Sequence, residues 1–218
     1  MRRTLTGILI CLTVSFGAAS LAMAQTAPRF PPIPREQLTP EQRAWADSLA
    51  APPRNGNVNN PPYRAYLPNM ALATRWTALS DYVRWNTSLP PRLSELAILV
   101  TARHWTAQYE WHAHYTLAEK GGLDPKIADQ IAAGKRPEGM KADEKIVYNV
   151  ATELYRDKNL SDATYKAAVD MFGQNGLLDM IGIIGHYGTV SMILISMQAQ
   201  APNDSVKPLA PLAAPLPR

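Results

Sequence analysis

The chain has 218 residues, with 22 lysines and arginines against 18 aspartates and glutamates, and a single cysteine. A formal charge of +4 without a lysine and arginine cluster gives no electrostatic footprint for nucleic acid. One cysteine rules out a disulfide framework within the chain, and the length suits one domain with a sizeable core.

Residues 1–24 read as a secretory signal peptide. Arg2 and Arg3 precede an apolar run from Ile8 through Leu12 to Ala19, and Ala22-Met23-Ala24 forms a cleavage site. The run is short for a membrane span, so no stable span is expected after cleavage. Removal takes away Arg2, Arg3 and Cys11, which lowers the formal charge to +2 and leaves no thiol. The mature protein is expected to be periplasmic or secreted, without disulfides and without thiol peroxidase chemistry.

Residues 25–62 form a proline-rich N-terminal arm. Up to Leu38 it reads as extended. Thr39-Pro40-Glu41-Gln42 then carries a capping-box pattern with proline at the first helical position, which predicts a short helix to about Leu49. Residues 51–62, with Pro52, Pro53, Gly56 and Asn59, read as a connecting loop. A helical domain is expected over residues 63–200. Its first helix starts after Pro68 with Asn69 near the cap, and Leu72, Trp76, Leu79, Tyr82 and Val83 recur near helical spacing as a core stripe.

Residues 89–123 are the centre of the chain. They begin at Pro90-Pro91, which suit a helix start, end at Gly121-Gly122, and hold three of the four histidines. One straight helix would hold Glu95 and His114 about 28 Å apart. A break between His104 and Gln108 instead folds two helices into a hairpin that brings them together. Glu110 and His114, four apart, share a helical face, and His112 points elsewhere.

Asp124-Pro125 starts a short helix ending at Gly134, and a helix is expected from Asp143 to Asp157 with Ile146, Val147, Val150 and Leu154 inward. Ser161 caps the next, which Gly173 stops. The last helix, from about Gly176 to Gln198, is apolar nearly all round, and Asp179 and His186 argue that it is buried rather than spanning a membrane. Gly182, Gly185 and Gly188 would let a partner helix approach closely. Residues 201–218, rich in proline and alanine, are expected to be disordered. No strand pattern emerges, so the fold class is all-α.

Glu95-Leu96-Ala97-Ile98-Leu99, the Tyr109-Glu110-Trp111 segment ending at His114, and Gly122-Leu123 together resemble the carboxymuconolactone decarboxylase and alkylhydroperoxidase D-like family, over roughly residues 71–198. The resemblance implies an alkylhydroperoxidase D-like helical domain in a homo-oligomer. Peroxidase members carry Cys-x-x-Cys-x-x-x-His with a glutamate upstream. Ala107 and Glu110 stand where those cysteines would be, and Glu95 where that glutamate would be. Decarboxylase members, which tend to carry Glu-x-x-x-His, are the nearer match.

Taken bare, Glu110 and His114 are an ordinary helix pair worth a few tenths of a kcal/mol. Within the resemblance they become a proton-moving set, His114 as shuttle with Glu110 and Glu95 orienting it. Arg92 and Arg103 are candidates to hold a substrate carboxylate, and Tyr109, Trp111 and His186 to contact the substrate, although a histidine on such a helix is more often a core residue. The expected chemistry is cofactor-free acid/base catalysis, decarboxylase-like, on a small lactone or carboxylate. A metal site from Glu110, His114 and His186 ranks lower, because no third ligand is marked by spacing. A non-enzymatic oligomer binding a small ligand between Trp105, Tyr109 and Trp111 is the other alternative.

Overall fold

The computed structural model describes residues 28–217, so the segment read as a signal peptide lies outside them. Among the described residues there are eight α-helices and no strand: α1 (Pro40–Ala50), α2 (Tyr63–Tyr66), α3 (Met70–Trp85), α4 (Pro91–Trp105), α5 (Gln108–Lys120), α6 (Pro125–Ala132), α7 (Ala142–Arg156) and α8 (Asp162–Ser196).

The central helix is α4. Pro91 opens it, and from Leu93 to Arg103 every residue except Glu95 is buried. A helix apolar on all sides must be surrounded, and α5, α6, α7 and α8 all pack against it. It stops at Thr106, which takes the left-handed conformation (φ 51°). The Ala107 N–H then bonds back to the Ala102 carbonyl at 2.9 Å, the six-to-one bond of a Schellman ending. α5 starts directly after, so the predicted break is a two-residue connection and the two arms form an antiparallel hairpin.

Local caps follow the sequence. Thr39 and Gln42 form the reciprocal capping box of α1, and Asn69, Asp124 and Ser161 accept backbone N–H groups at the starts of α3, α6 and α8. Gly173 (φ 68°, ψ 174°) breaks α8 where a stop was expected. Of the spaced glycines, only Gly188 answers to close approach. A Cβ there would lie 2.8 Å from the Tyr155 hydroxyl, whereas Gly185 faces open space. α8 is long and apolar enough to cross a membrane by composition, and 56% of its most apolar window is buried within the fold.

Two segments depart from expectation. The N-terminal arm is part of the body: Leu38, Trp45, Ala46 and Leu49 build a second small core with Tyr66, Leu67 and Ala73, and the Trp45 indole donates to Thr77 Oγ1 at 3.1 Å. The loop that follows α1 is thereby held against α3.

The C-terminal tail, expected to be disordered, is an ordered strap without regular structure. Val206, Leu209 and Leu216 join the main core, Gln108 exchanges two hydrogen bonds with the Leu209 backbone (2.8 and 2.9 Å), and the Tyr148 hydroxyl donates to the Pro217 carbonyl. Three buried apolar residues outweigh a composition that otherwise favours disorder. Leu209→Ala should therefore cost about 2–5 kcal/mol, as for a buried leucine, read from the urea midpoint. A change within about 0.5 kcal/mol, as for a surface residue, would show that the strap is not seated.

Candidate functional site

Three helices each turn a short stripe toward one cavity of about 170 Å³. α5 contributes Tyr109, Glu110 and His114; α3 contributes Trp76, Ser80 and Arg84; α8 contributes His186, Tyr187 and Val190. Spacings of three, four and eight residues, as in Tyr187–Val190, Glu110–His114 and Trp76–Ser80–Arg84, keep these residues on one helical face. The loop after α1 and the short α2 close the remaining side with Arg54, Tyr63 and Tyr66. Residues 51–62 thus wall the cavity rather than merely connect.

The hairpin places Glu95 and Glu110 on opposite sides of one imidazole. His114 Nδ1 lies 2.6 Å from Glu95 Oε2, and its Nε2 lies 3.1 Å from Glu110 Oε1. His114 and Glu110 are each 3% exposed. Burial opposes the charge on His114, but the two carboxylates outweigh it and lift the pKa to about 9. At neutral pH the ring is an imidazolium that can donate from both nitrogens at once, and Tyr187 packs edge-on against it with ring centres 4.9 Å apart.

The second histidine of the cavity is in the opposite state. His186 stacks on Trp76 (5.0 Å, 23°), and burial, aided by the charges of Arg54, Arg84 and His114, lowers its pKa to about 4. Its Nδ1 finds no hydrogen-bond partner among the described residues, and neither do the Tyr66 hydroxyl and the Trp76 indole N–H. Indole and phenol are neighbours without hydrogen-bond geometry.

Arg84 donates to the Tyr187 hydroxyl at 3.3 Å and lies 5.3 Å from the Trp85 ring centre. Burial opposes its charge, and Tyr187 and Glu95 restore it, so its pKa is raised. Arg54 pairs with Asp81 and donates to the Tyr63 hydroxyl at 3.0 Å.

Of the residues singled out from sequence, Glu110, His114, Tyr109 and His186 line the cavity, and Glu95 stands behind His114. Arg92 does not reach it. Its guanidinium is taken up by Asp143 (2.6 Å) and Glu144 at the start of α7. Arg103 is buried beside Thr106, to which it donates at 3.2 Å. Trp111, two positions from Tyr109, falls on the opposite face of α5 in the main core, so Trp105, Tyr109 and Trp111 do not gather around one ligand. His112 also faces away, bonded to Asn203 and Ser205 of the strap. Among the described residues no group of three His, Cys, Asp or Glu side chains is arranged to hold a metal. Arg54, Arg84, Tyr66 and Tyr187 went unselected by sequence reasoning, and Trp76 was read as core. A signal existed in the i, i+4, i+8 spacing of Trp76, Ser80 and Arg84, which sets an indole, a hydroxyl and a guanidinium on one face of α3.

Residues 71–140 match the Carboxymuconolactone decarboxylase family. No curated protein matches the chain in sequence. Among solved structures, an uncharacterized peroxidase-related protein from Silicibacter sp. TM1040 is similar over 83% of this chain and 96% of its own, with a TM-score of 0.63 at 16% identity. At that identity the likeness is one of fold.

The charge state of His114 makes stability depend on pH. Its folded pKa of about 9 lies above the unfolded value of roughly 6.5, so its contribution is complete below the unfolded value and is lost as pH rises through about 9. Denaturant midpoints should fall across this window in the wild type and lose that component in His114→Gln. A wild-type profile flat from pH 6.5 to 9.5 would contradict the assignment.

Proposed function

We propose, from the match of residues 71–140 to the carboxymuconolactone decarboxylase family, that this chain is an exported lyase-type enzyme performing cofactor-free acid/base chemistry on a small lactone or carboxylate. The observation that supports this most is the buried Glu95–His114–Glu110 row opening on a cavity through His114 and Glu110. Three ionisable groups with one shared proton are expensive to bury for packing alone. Placed at the edge of a cavity, they can give or take a proton without solvent reorganisation.

In decarboxylation of a carboxy-lactone, the bond to the carboxylate breaks and carbon dioxide leaves. The electron pair passes into the conjugated carbonyl, and a proton must then reach carbon. His114, through Nε2 or by way of Glu110, supplies it, and solvent later restores the proton to the row. Glu95 is a positioning residue. It accepts from Nδ1, fixes the ring and raises its basicity without lining the cavity.

Self-association belongs to the same reading. Leu178 is 67% exposed, and Ile181 and Tyr82 also face outward around Asp179, which accepts from Tyr82 at 2.8 Å. An apolar face of this kind on α3 and α8 suits a second copy of the chain.

Purified protein without added metal or thiol is expected to release carbon dioxide from at least one member of a carboxy-lactone panel. His114→Gln should lower that turnover about 100-fold or more with the helical circular dichroism retained, and His112→Gln should leave it unchanged. Equal losses in both variants, or an active His114→Gln, would remove His114 from the chemistry.

A further inference from the structure

Charge borders the cavity in two places. Glu95, protonated His114 and Glu110 sum to one negative charge. Arg84 lines the cavity too, and among the described residues its one hydrogen bond goes to the neutral Tyr187 hydroxyl. Arg54 beside it is already balanced by Asp81. The Tyr66 hydroxyl, the Trp76 indole N–H and His186 Nδ1, all on residues that line the cavity, are buried and make no hydrogen bond among the described residues. A buried polar group without a partner is costly, so three on cavity-lining residues favour a ligand with polar atoms. Two of the three are donors, and Arg84 adds more, so the ligand must be rich in acceptors.

Size narrows the class. A cavity of about 150 Å³ admits benzene, and this one measures about 170 Å³, well under the roughly 300–1,000 Å³ of sites for drug-sized molecules. One ring with a small substituent fills it. Tyr66, Tyr109 and Tyr187 in its lining supply aromatic surface for a flat ring.

We propose that Arg84 is the anchor for the carboxylate of a single-ring aromatic or conjugated acid, with the Tyr66 hydroxyl and Trp76 N–H as supporting donors, and that it determines specificity for an anion over a neutral isostere. The carboxylate at Arg84 is the one retained through the reaction, because the net negative charge of the Glu95–His114–Glu110 row repels it. This orientation rests on the acid/base reading of His114; the anchor itself does not.

Calorimetric titration of the purified chain at pH 7 with benzoate and with benzamide tests the anchor. Benzoate is expected to bind at least tenfold more tightly than benzamide. Arg84→Met should reduce benzoate to the affinity of benzamide, and His114→Gln should still prefer benzoate. Where Arg84→Met loses its helical circular dichroism, Arg84→Lys replaces it and should weaken benzoate severalfold with benzamide unchanged, because a lysine cannot reproduce the planar fork. Equal affinities in the wild type, no binding of either compound, or a preference that survives loss of the guanidinium would overturn the proposal. Those outcomes leave the effect of His114→Gln on turnover standing, and an active His114→Gln leaves the benzoate preference standing, so the two readings fail separately.

Discussion

A protonated imidazole held between two carboxylates in the interior of a helical domain is the interaction on which this site depends. Any one of the three groups alone would be too costly to bury in charged form. Together, Glu95, His114 and Glu110 hold each other's charge, and the ring keeps its proton above neutral pH. The arrangement requires two helices to meet at the right height, since Glu95 belongs to α4 and the other two to α5. The left-handed Thr106 that ends α4 and reverses the chain is therefore as necessary to this row as the ionisable groups themselves.

The rest of the fold serves that hairpin. α4 is encased by its neighbours, which fixes the height of Glu95. α8 lays His186 and Tyr187 across the site, α3 supplies Arg84, and the loop after α1 adds the last wall. The outcome is one cavity with two histidines in opposite states, His114 charged because carboxylates flank it and His186 neutral because burial and three neighbouring positive charges oppose its protonation. Such a division gives a small site both a proton donor and an uncharged polar wall.

Much of the fold was legible in the sequence because its signals are local. Thr39, Asn69, Asp124, Ser161 and Gly173 act on their own backbone or the next turn, and each marks the boundary it was read to mark. Glu95, Glu110 and His114 were also legible, once the hairpin was inferred and the family resemblance weighed. The misjudged residues depend on contacts distant in sequence. Arg92 looked like a free cation until α7 brought Asp143 and Glu144 to it. Arg54 and Arg84 carry no local mark, and only the packing of the loop, α3 and α8 around one cavity brings them to it. The strap after residue 200 has the composition of a disordered tail, and only the surface awaiting Leu209 and Leu216 orders it.

The central claim is that His114 holds its proton between two carboxylates well above neutral pH. Nitrogen-15 chemical shifts of the histidine ring nitrogens, with His114 identified by its loss in His114→Gln, measure this directly. Both nitrogens of His114 should show the protonated state at pH 7 and titrate near pH 9. A neutral tautomer at pH 7, or a titration at the ordinary histidine value near roughly 6.5, would contradict it.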